Sequence, residues 1–482
     1  MTISPTDVST TIPTTVVVPT VGRPSLHVLL ERLRTCPGPR PAGILVLEDT
    51  ERAGPAATRN RGWRLARTPW VSFLDDDVVP DADWLYRLQQ DIDAAEDDVV
   101  GIQGQVTVPL SPDRRPTDWE RATAGLQDAA WITADMTYRR SALAAVGGFD
   151  ERFRRAFRED ADLALRLMQR GRMIRGRRQV AHPVRPAGFW VSVRTQAGNA
   201  DDVLMRRLHG PGWRTRAAAG RGRRRRHLAV TACGVAGLAL AVLGHRRAAA
   251  AAATAWLAGT AEFAAARIAP GPRTAAEITR MLVTSALIPP AATVHTVRGL
   301  IRHRQVPAWA GVPELVLFDR DGTLVRNVPY NGDPRVVEPV PGAAVALTRL
   351  RSAGIRVGVV TNQSGIASGR LTRDEVERVN ERVDQLLGPF DVWRVCPHGP
   401  DEGCGCRKPA PGMVSSACAE LGIDPSRCAV IGDIGSDVAA AEAAGASGVL
   451  VPTEETRPAE IGAASRIATD VPAAVDALMR GY

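Results

Sequence analysis

Lysine is almost absent from this sequence. Of the 61 basic residues among 482, Lys408 is the one lysine, and the others are all arginine. A chain with this bias uses arginine wherever a solvated positive charge suffices. The bias therefore marks Lys408 as a position that needs a compact ammonium on a flexible stem, because a planar guanidinium does not replace one in a tight site.

Other absences narrow the class of protein. The N-terminus has no charged stretch followed by an apolar run, so we expect no secretory signal peptide. The seven cysteines do not form a secreted disulfide framework, because three of them cluster with a histidine near the C-terminus. With 45% hydrophobic and 23% charged residues, the chain also lacks the composition of a disordered protein. We expect a cytoplasmic protein of about three units, at roughly 150 residues each.

Acidic residues are scarce in the middle of the chain. Residues 205–313 carry 17 basic against 2 acidic residues, whereas residues 1–204 carry 27 of each and residues 314–482 carry 17 against 23. Nine arginines fall between Arg206 and Arg226, directly before an uncharged run. The arginines at positions 221–226 adjoin the apolar run and lack interleaved aromatic residues, which favours anionic lipid headgroups and argues against nucleic acid.

The apolar runs of this middle segment fit two kinds of structure. Leu228–Gly244 is at the short limit for a membrane span, and it is followed by the alanine-rich Ala248–Thr260 and by Met281–Val297, which Pro289-Pro290 interrupts. One interpretation is a short membrane hairpin, with the third run spanning the membrane or lying in its interface. The other is a set of buried core helices. We favour the hairpin, with an even number of crossings that keeps both flanking domains at the inner face of the cell membrane.

Short β-branched runs alternate with helical patterns on both sides of this segment. Six such runs are predicted to be strands: Thr14–Pro19, Gly43–Leu47, Trp70–Leu74, Leu315–Phe318, Ile355–Val360 and Cys428–Ile431. The alternation predicts two α/β domains with largely parallel sheets, which bind ligands at the carboxyl ends of their strands. We therefore expect four segments: a disordered terminus at 1–12, an α/β domain at 13–204, an Arg-rich apolar helical segment at 205–310 and a second α/β domain at 311–482.

Polar side chains follow the predicted strands of the last domain. Asp319 and Asp321 come after the first of them, and Thr361 and Asn362 after the second. Two carboxylates at this spacing suit covalent phosphoryl transfer, because one attacks phosphorus while the other protonates the leaving oxygen and then activates water. Thr361 and Asn362 are expected to hydrogen-bond the phosphate oxygens.

Lys408 and Asp433 complete this set. Lys408 would neutralise the phosphate and the nucleophile, and Asp433 with Asp437 offers hard oxygen ligands for Mg²⁺. In this order the residues resemble the four motifs of the haloacid dehalogenase (HAD) phosphatases. The resemblance implies a Rossmann-like fold in which Mg²⁺ is held by Asp319, Asp433 and the main-chain carbonyl of Asp321.

Three cysteines and a histidine precede the single lysine. Cys396 and His398, followed by Cys404 and Cys406, have a C-x-H and C-x-C spacing that can close a tetrahedral zinc site with no open position. We expect a structural Zn²⁺ that holds the loop carrying Arg407. The alternative is a group of free cytosolic thiols.

Longer runs narrow the resemblance to a subfamily. Three runs look like the D,D-heptose 1,7-bisphosphate phosphatases and the related histidinol-phosphatases. They are CPHGPDEGCGCRKPAPGM, FDRDGT and VVTNQSG. This resemblance implies a capless enzyme that acts on a sugar phosphate, with Arg407 reaching a second phosphate of the substrate. Residues 326–334 depart from the heptose pattern in a segment that flanks the substrate, so histidinol phosphate or another small phosphomonoester is the alternative substrate.

The first domain also carries acids at strand ends. Asp75, Asp76 and Asp77 end one predicted strand, where oxygen ligands can hold Mn²⁺ or Mg²⁺ on a diphosphate, and Asp49 ends the preceding strand. The runs PTVGRP, FLDDDV, GGFDERF and REDADL, in that order, resemble the family 2 glycosyltransferases of GT-A fold over residues 13–200.

That second resemblance implies inverting transfer of a sugar from a nucleotide sugar. Asp160 would be the general base, Asp75 and Asp77 would hold the metal, Asp49 would bind the nucleotide and Asp135 would bind substrate. The Q-x-x-R-W run of processive polysaccharide synthases is absent, which argues for transfer of single sugars. His182 could also reach the metal, although a histidine satisfied within its loop is the more ordinary interpretation.

Together these patterns predict a bifunctional carbohydrate enzyme. Its partners would be a sugar phosphate, a nucleotide sugar, a lipid-linked or glycan acceptor and a membrane surface. A hypothesis from another class is that the first domain only binds an acceptor or docks on the membrane, with little turnover of its own.

Overall fold

The computed structural model of the chain describes residues 11–220, 222–304, 306, 309, 311–479 and 481. The chain divides into two units, one built from positions up to 140 and from 149–308, and the other from 141–148 and 309–482. The apolar helical segment therefore groups with the first unit. The terminus expected to be disordered lies outside the described residues up to position 10, and Thr11 and Ile12 already belong to the first strand.

Strands and helices alternate from residue 11 to residue 209, and the described residues from there to residue 302 form helices without strands. The strands are β1 (Thr11–Thr20), β2 (Arg40–Glu48), β3 (Trp70–Leu74), β4 (Val79–Pro80), β5 (Val99–Thr107), β6 (Asp135–Arg139) and β7 (Arg172–Ala181). The helices are α1 (Ser25–Thr35), α2 (Pro55–Leu65), α3 (Trp84–Asp93), α4 (Asp118–Ala124), α5 (Arg140–Ala145), α6 (Glu159–Leu167), α7 (Val191–Arg194), α8 (Asn199–His209), α9 (Trp213–Arg216), α10 (Arg224–Val242), α11 (Arg246–Ile268) and α12 (Ala275–Arg302).

The first sheet is mixed, so the expectation of a largely parallel sheet is wrong for this unit. Its seven strands have the order β2-β1-β3-β6-β5-β7-β4. β1 is parallel to β2 and β3, and β5 is parallel to β7, but β6 is antiparallel to both β3 and β5. The direction changes because the chain returns through β6 between those two strands. The carboxyl ends of β1, β2 and β3 still share one edge, which places Asp49 and the three consecutive acids there.

Helix α8 crosses the expected domain boundary at 204/205. Val203, Leu204, Met205 and Leu208 are all buried, so its apolar face continues past the change in composition. Helix α12 packs closely on α8 at Gly299, where a Cβ atom would come within 2.8 Å of the Ala200 Cα. This contact explains why the helices after residue 204 group with the first unit.

The sequence suggested that the proline pair would interrupt the apolar run Met281–Val297, but the structure shows that α12 is continuous through it. The helix runs from Ala275 to Arg302 with Pro289 and Pro290 inside it. Proline removes a helical N–H donor and crowds the preceding turn. The buried side chains of Ile288 and Pro289 provide tertiary packing that offsets this cost.

Helix α10 presents an apolar surface on its outside. Among the described residues it is the one helix long and apolar enough to cross a membrane by length and composition, with a mean hydropathy of 1.2. Leu238 is 74% exposed and Val242 is 87% exposed, whereas Gly237 is buried. Nothing in the first unit covers this face within the residues that the structure describes.

The second unit is a five-stranded parallel sheet with helices on both faces. Its strands, in the order β10-β9-β8-β11-β12, are β8 (Leu315–Phe318), β9 (Arg356–Asn362), β10 (Val392–Cys396), β11 (Cys428–Gly432) and β12 (Ser447–Leu450). Its helices are α13 (Ala343–Ser352), α14 (Arg373–Leu387), α15 (Gly412–Leu421), α16 (Gly435–Ala443), α17 (Pro458–Ala463) and α18 (Val471–Met479).

The side chains of β8, the central strand, alternate between two separate hydrophobic cores. Val316 and Phe318 pack with α13, α14 and α18, whereas Leu315 and Leu317 pack with α15 and α16. Both faces are buried because successive side chains of a strand point to opposite sides. The parallel strands also end at one edge, so the residues after β8, β9, β10 and β11 converge there.

Candidate active sites

Three carboxylates meet where β8 and β11 end. Asp319 directly follows β8, Asp433 directly follows β11, and Asp437 lies in the first turn of α16. One oxygen of each lies within 4.8 Å of the others, and all three side chains are buried. Buried carboxylates at this separation repel one another, so the group can hold a divalent cation such as Mg²⁺.

Lys408 inserts its ammonium into this acidic group. Its Nζ lies 2.5 Å from Asp319 Oδ1 and 2.6 Å from Asp437 Oδ1, and it donates to the Val360 carbonyl at 2.9 Å. The lysine is 4% exposed. A charge this deeply buried requires partners of opposite sign, which the two carboxylates supply, and the Val360 carbonyl satisfies a further N–H donor.

Burial shifts the protonation equilibria of the group. Burial, followed by the charges of Asp437 and Asp433, raises the pKa of Asp319 to about 8, although the Lys408 ammonium opposes the shift. Burial also raises the pKa of Asp433 to about 7, with Asp437 contributing. For Lys408, burial alone would lower the pKa, but Asp319 and Asp437 outweigh it and raise the value. A bound cation would favour the ionised carboxylates.

Asp321 is held in place by two neighbours. Its carboxylate accepts from Arg320 Nη2 at 2.9 Å and from Gln363 Nε2 at 2.8 Å. The Arg320 side chain is buried, and its Nη1 donates to Asn380 Oδ1 at 2.6 Å. Arg320 therefore fixes the orientation of the candidate acid and base, a role the sequence motif did not indicate.

Asn362 differs from its expected role. Its Oδ1 accepts from the Lys408 backbone N–H at 3.1 Å, and its Nδ2 donates to the Lys408 carbonyl at 3.2 Å. The amide matches both polar groups of that residue's backbone, so Asn362 positions Lys408. Thr361 lies beside it at the end of β9, where its hydroxyl accepts from Gln363 Nε2 at 3.0 Å.

Gly322 is required by the close approach of Asp433. Its φ is +83°, a left-handed conformation that other residues rarely adopt. A Cβ atom there would lie 2.3 Å from Asp433 Oδ2. The turn that carries Asp321 can therefore approach Asp433 only without a side chain at this position.

The cysteine and histidine ligand atoms converge after β10. Cys396 Sγ lies 3.7 Å from Cys404 Sγ and 3.4 Å from Cys406 Sγ, and His398 Nδ1 lies 3.2 Å from Cys406 Sγ. In a regular tetrahedron with zinc–sulfur bonds of about 2.3 Å, sulfur atoms stand about 3.8 Å apart. The four donors therefore fit a closed zinc site. Arg407 follows directly and donates to the His398 carbonyl at 3.2 Å.

In the first unit, Arg59 joins the acid group to the candidate base. Its Nη2 lies 2.8 Å from Asp75 Oδ1 and its Nη1 lies 2.8 Å from Glu159 Oε1, next to Asp160. Burial, followed by the charge of Asp160, raises the pKa of Glu159 to about 8, and burial raises that of Asp160 as well. A base with a raised pKa suits proton transfer near neutral pH.

Asp77 faces His182, the histidine that the sequence offered as a further metal ligand. His182 Nε2 lies 3.6 Å from Asp77 Oδ1, and Arg185 Nε lies 2.9 Å from Asp77 Oδ2. Both Asp77 and His182 are buried. Asp76 instead ties β3 to β1, because it accepts from Thr20 Oγ1 at 2.6 Å.

Two predicted binding residues have other partners. Asp135 is fully buried, and its oxygens accept from Arg178 Nε at 2.7 Å and from Trp84 Nε1 at 2.8 Å. The expectation that it binds substrate is therefore wrong, because it forms an ion pair inside the sheet. Asp49 accepts hydrogen bonds from the backbone N–H groups of Ala53 and Gly54, and these bonds close the turn after β2.

The residues that sequence reasoning missed are buried arginines. Arg59, Arg178 and Arg320 each bind an aspartate singled out by a motif or a strand end. In a chain with 60 arginines, composition alone does not separate them from solvated ones. The sequence signal that could have identified such an arginine was its position next to motif residues. Arg320, for example, lies between Asp319 and Asp321.

We predict that Gly322→Ala lowers phosphomonoester hydrolysis roughly 100-fold, because the new methyl group displaces Asp433. Gly369→Ala is the matched control: its φ is +68°, and a Cβ atom there would meet nothing within 4 Å. The control should keep its activity while losing about 1 kcal/mol of stability. Steady-state rates with p-nitrophenyl phosphate measure this, and equal activity in both variants would contradict the geometry.

Comparison with known proteins finds family matches in both units. A haloacid dehalogenase-like hydrolase model matches residues 316–381, a HAD-hydrolase-like model matches residues 405–478, and a glycosyl transferase family 2 model matches residues 24–158. The D-glycero-beta-D-manno-heptose-1,7-bisphosphate 7-phosphatase of Pseudomonas aeruginosa is 38% identical over 146 residues, covering 29% of this chain and 81% of that protein. The Pseudomonas putida protein of the same name is 39% identical over 147 residues, covering 29% and 83%.

A solved structure resembles the second unit as well. The D,D-heptose 1,7-bisphosphate phosphatase from B. bronchiseptica, complexed with magnesium and phosphate, is 29% identical and covers 35% of this chain and 99% of that chain, with a TM-score of 0.31. The family models and the two Pseudomonas relatives show that the chain belongs to the haloacid dehalogenase-like hydrolases, with a HAD phosphatase domain in its second unit and a family 2 glycosyltransferase domain in its first.

Proposed function

We propose that the second unit removes the 7-phosphate of D-glycero-D-manno-heptose 1,7-bisphosphate. The observation that carries this proposal is the buried Lys408–Asp319 pair at the end of β8, in a domain whose relatives have that activity in their names. Arg407 directly precedes Lys408 in the chain and would bind the second phosphate of a bisphosphate through its guanidinium.

The reaction would proceed in two displacements at phosphorus. Asp319 attacks, the bond from phosphorus to the sugar oxygen breaks, and Asp321 gives that oxygen a proton. Asp321 then takes a proton from water, which attacks the aspartyl-phosphate and releases inorganic phosphate with the regenerated carboxylate of Asp319. Lys408 and Thr361 would hold the transferred phosphoryl group at the strand ends.

Mg²⁺ is the cofactor that we propose for this step. Asp319, Asp433 and the carbonyl of Asp321 would hold it, and the close grouping of buried carboxylates fits a hard divalent cation. When bound, the ion would supply positive charge against the phosphate oxygens. Asp437 keeps its contact with Lys408 and so would hold the lysine in place.

We predict that the full chain hydrolyses the heptose bisphosphate with a higher kcat/KM than histidinol phosphate, because only the bisphosphate offers a second phosphate to Arg407.

Asp319→Asn should lose at least about 10³-fold in activity, since it removes the nucleophile. Asp374→Asn, an exposed acid at the start of α14, is the control of equal charge. Phosphate release measures both. Preference for histidinol phosphate would remove the heptose assignment and leave the phosphatase intact.

Zinc would hold the loop that delivers Arg407 and Lys408. We predict that Cys404→Ser lowers the zinc content of the purified chain from about one ion towards none, because a tetrahedral site loses a thiolate ligand. Cys233→Ser, in α10, should not change it. Elemental analysis provides the measurement. Full zinc retention in the Cys404 variant would mean that the four donors do not form the site.

For the first unit we infer inverting transfer of a sugar from a nucleotide sugar. Asp160 would accept the proton of the acceptor hydroxyl, and Asp77 with Asp75 would hold Mn²⁺ or Mg²⁺. His182 Nε2 lies 3.6 Å from Asp77 Oδ1, and an imidazole nitrogen beside a carboxylate oxygen is a donor pair that fits an added cation. Asp49 would bind the nucleotide at the end of β2.

We predict that Asp160→Asn lowers donor hydrolysis at least about 100-fold across a panel of nucleotide sugars, because it removes the general base. Asp113→Asn, an exposed acid outside the site, serves as the control. The released nucleotide is the quantity to follow. Equal turnover in the two variants would favour the other hypothesis, in which this domain only binds an acceptor or docks on the membrane.

The helical segment would place both domains on the inner face of the cell membrane. The exposed apolar surface of α10 and the arginines before it support this proposal, since such a surface is stable against lipid and costly in water. A lipid-linked or glycan acceptor would then be reached from the membrane surface.

A further inference from the structure

A cleft opens among the helices α10, α11 and α12, away from the acidic sites already described. Its volume is about 470 Å³, and its polar lining comes from Arg223, Arg226, His227 and Glu262. Apolar walls are formed by Val230 and Phe263. The proposed activities of the two enzyme domains use none of these residues.

The cleft keeps a net positive charge. Arg223 Nη2 lies 2.5 Å from Glu262 Oε1, and Arg226 Nη1 lies 3.4 Å from the same oxygen, so one carboxylate serves two guanidiniums. The Arg223 guanidinium also lies 5.3 Å from the centre of the Phe263 ring, which fixes its direction. The side chain of Arg226 is 69% exposed and free to meet an anion at the mouth of the cleft.

The surface next to the cleft is apolar. Beyond Val230, helix α10 exposes Val235, Leu238 and Val242 along its length. A soluble anion would gain nothing from this surface, whereas a molecule with a phosphate and long hydrocarbon chains would use both features at once. Charge and exposed apolar area thus select the same kind of ligand.

We propose that this cleft binds the phosphate headgroup of an anionic membrane lipid, with Arg223 and Arg226 on the phosphate and the acyl chains along α10. Guanidiniums form charge-assisted, paired hydrogen bonds to phosphate oxygens, which gives the site its specificity over general attraction to a charged surface. The inference rests on the proposed membrane association only for the source of the lipid.

The test uses the full chain purified in a mild detergent, so it does not depend on insertion into a bilayer. Binding of short-chain phosphatidylglycerol is titrated by native mass spectrometry, with phosphatidylcholine and inorganic phosphate as separate probes. The double variant R223Q/R226Q should weaken phosphatidylglycerol binding at least 10-fold. R246Q/R247Q removes the same charge at the start of α11, outside the cleft, and should change binding less than 3-fold.

Three outcomes would overturn the proposal: equal loss in the two double variants, equal affinity for phosphatidylcholine, or displacement of the lipid by millimolar inorganic phosphate. Retained phosphatase activity in each variant verifies that the chain is folded. Membrane association is measured separately by fractionating cells, so failure of that broader proposal is distinguishable from failure of the headgroup site.

Discussion

One buried ammonium organises the phosphatase site. Lys408 lies between Asp319 and Asp437 with almost no exposure to solvent, so its charge is stable only while both carboxylates stay in place. Holding it there requires Asn362 on its backbone and the loop that begins at the cysteine cluster. The proposed nucleophile Asp319, Asp437 and the proposed zinc loop are thereby parts of one mutually dependent arrangement.

The first unit uses arginine for the corresponding task. Arg59 spans from Asp75 to Glu159 and so connects the end of β3 to the start of α6, where the candidate base lies. Arg178 does the same work inside the sheet, between Asp91 and Asp135. A guanidinium reaches two carboxylates with separate N–H groups, whereas the Lys408 ammonium must sit within a smaller space and leave room for phosphate.

The sequence was sufficient where local pattern and topology agree. Short β-branched runs identified strands such as Trp70–Leu74 to the residue, and parallel pairing explains why the acids after β8 and β11 could be grouped in advance. Asp135 was assigned to substrate binding from the family resemblance alone, which does not reveal its buried partner Arg178. The continuity of α12 through Pro289 was likewise not readable, since tertiary packing overrides the local propensity of proline.

The central claim is that the phosphatase site needs an ammonium at position 408 and not merely a positive charge. The Lys408→Arg variant keeps the charge and changes its shape, so kcat/KM for a phosphomonoester, measured beside the unfolding temperature, tests it most directly. We predict a folded protein whose kcat/KM falls at least about 100-fold, because a guanidinium cannot occupy the space between Asp319 and Asp437. A folded variant that keeps its kcat/KM within a few-fold would contradict it.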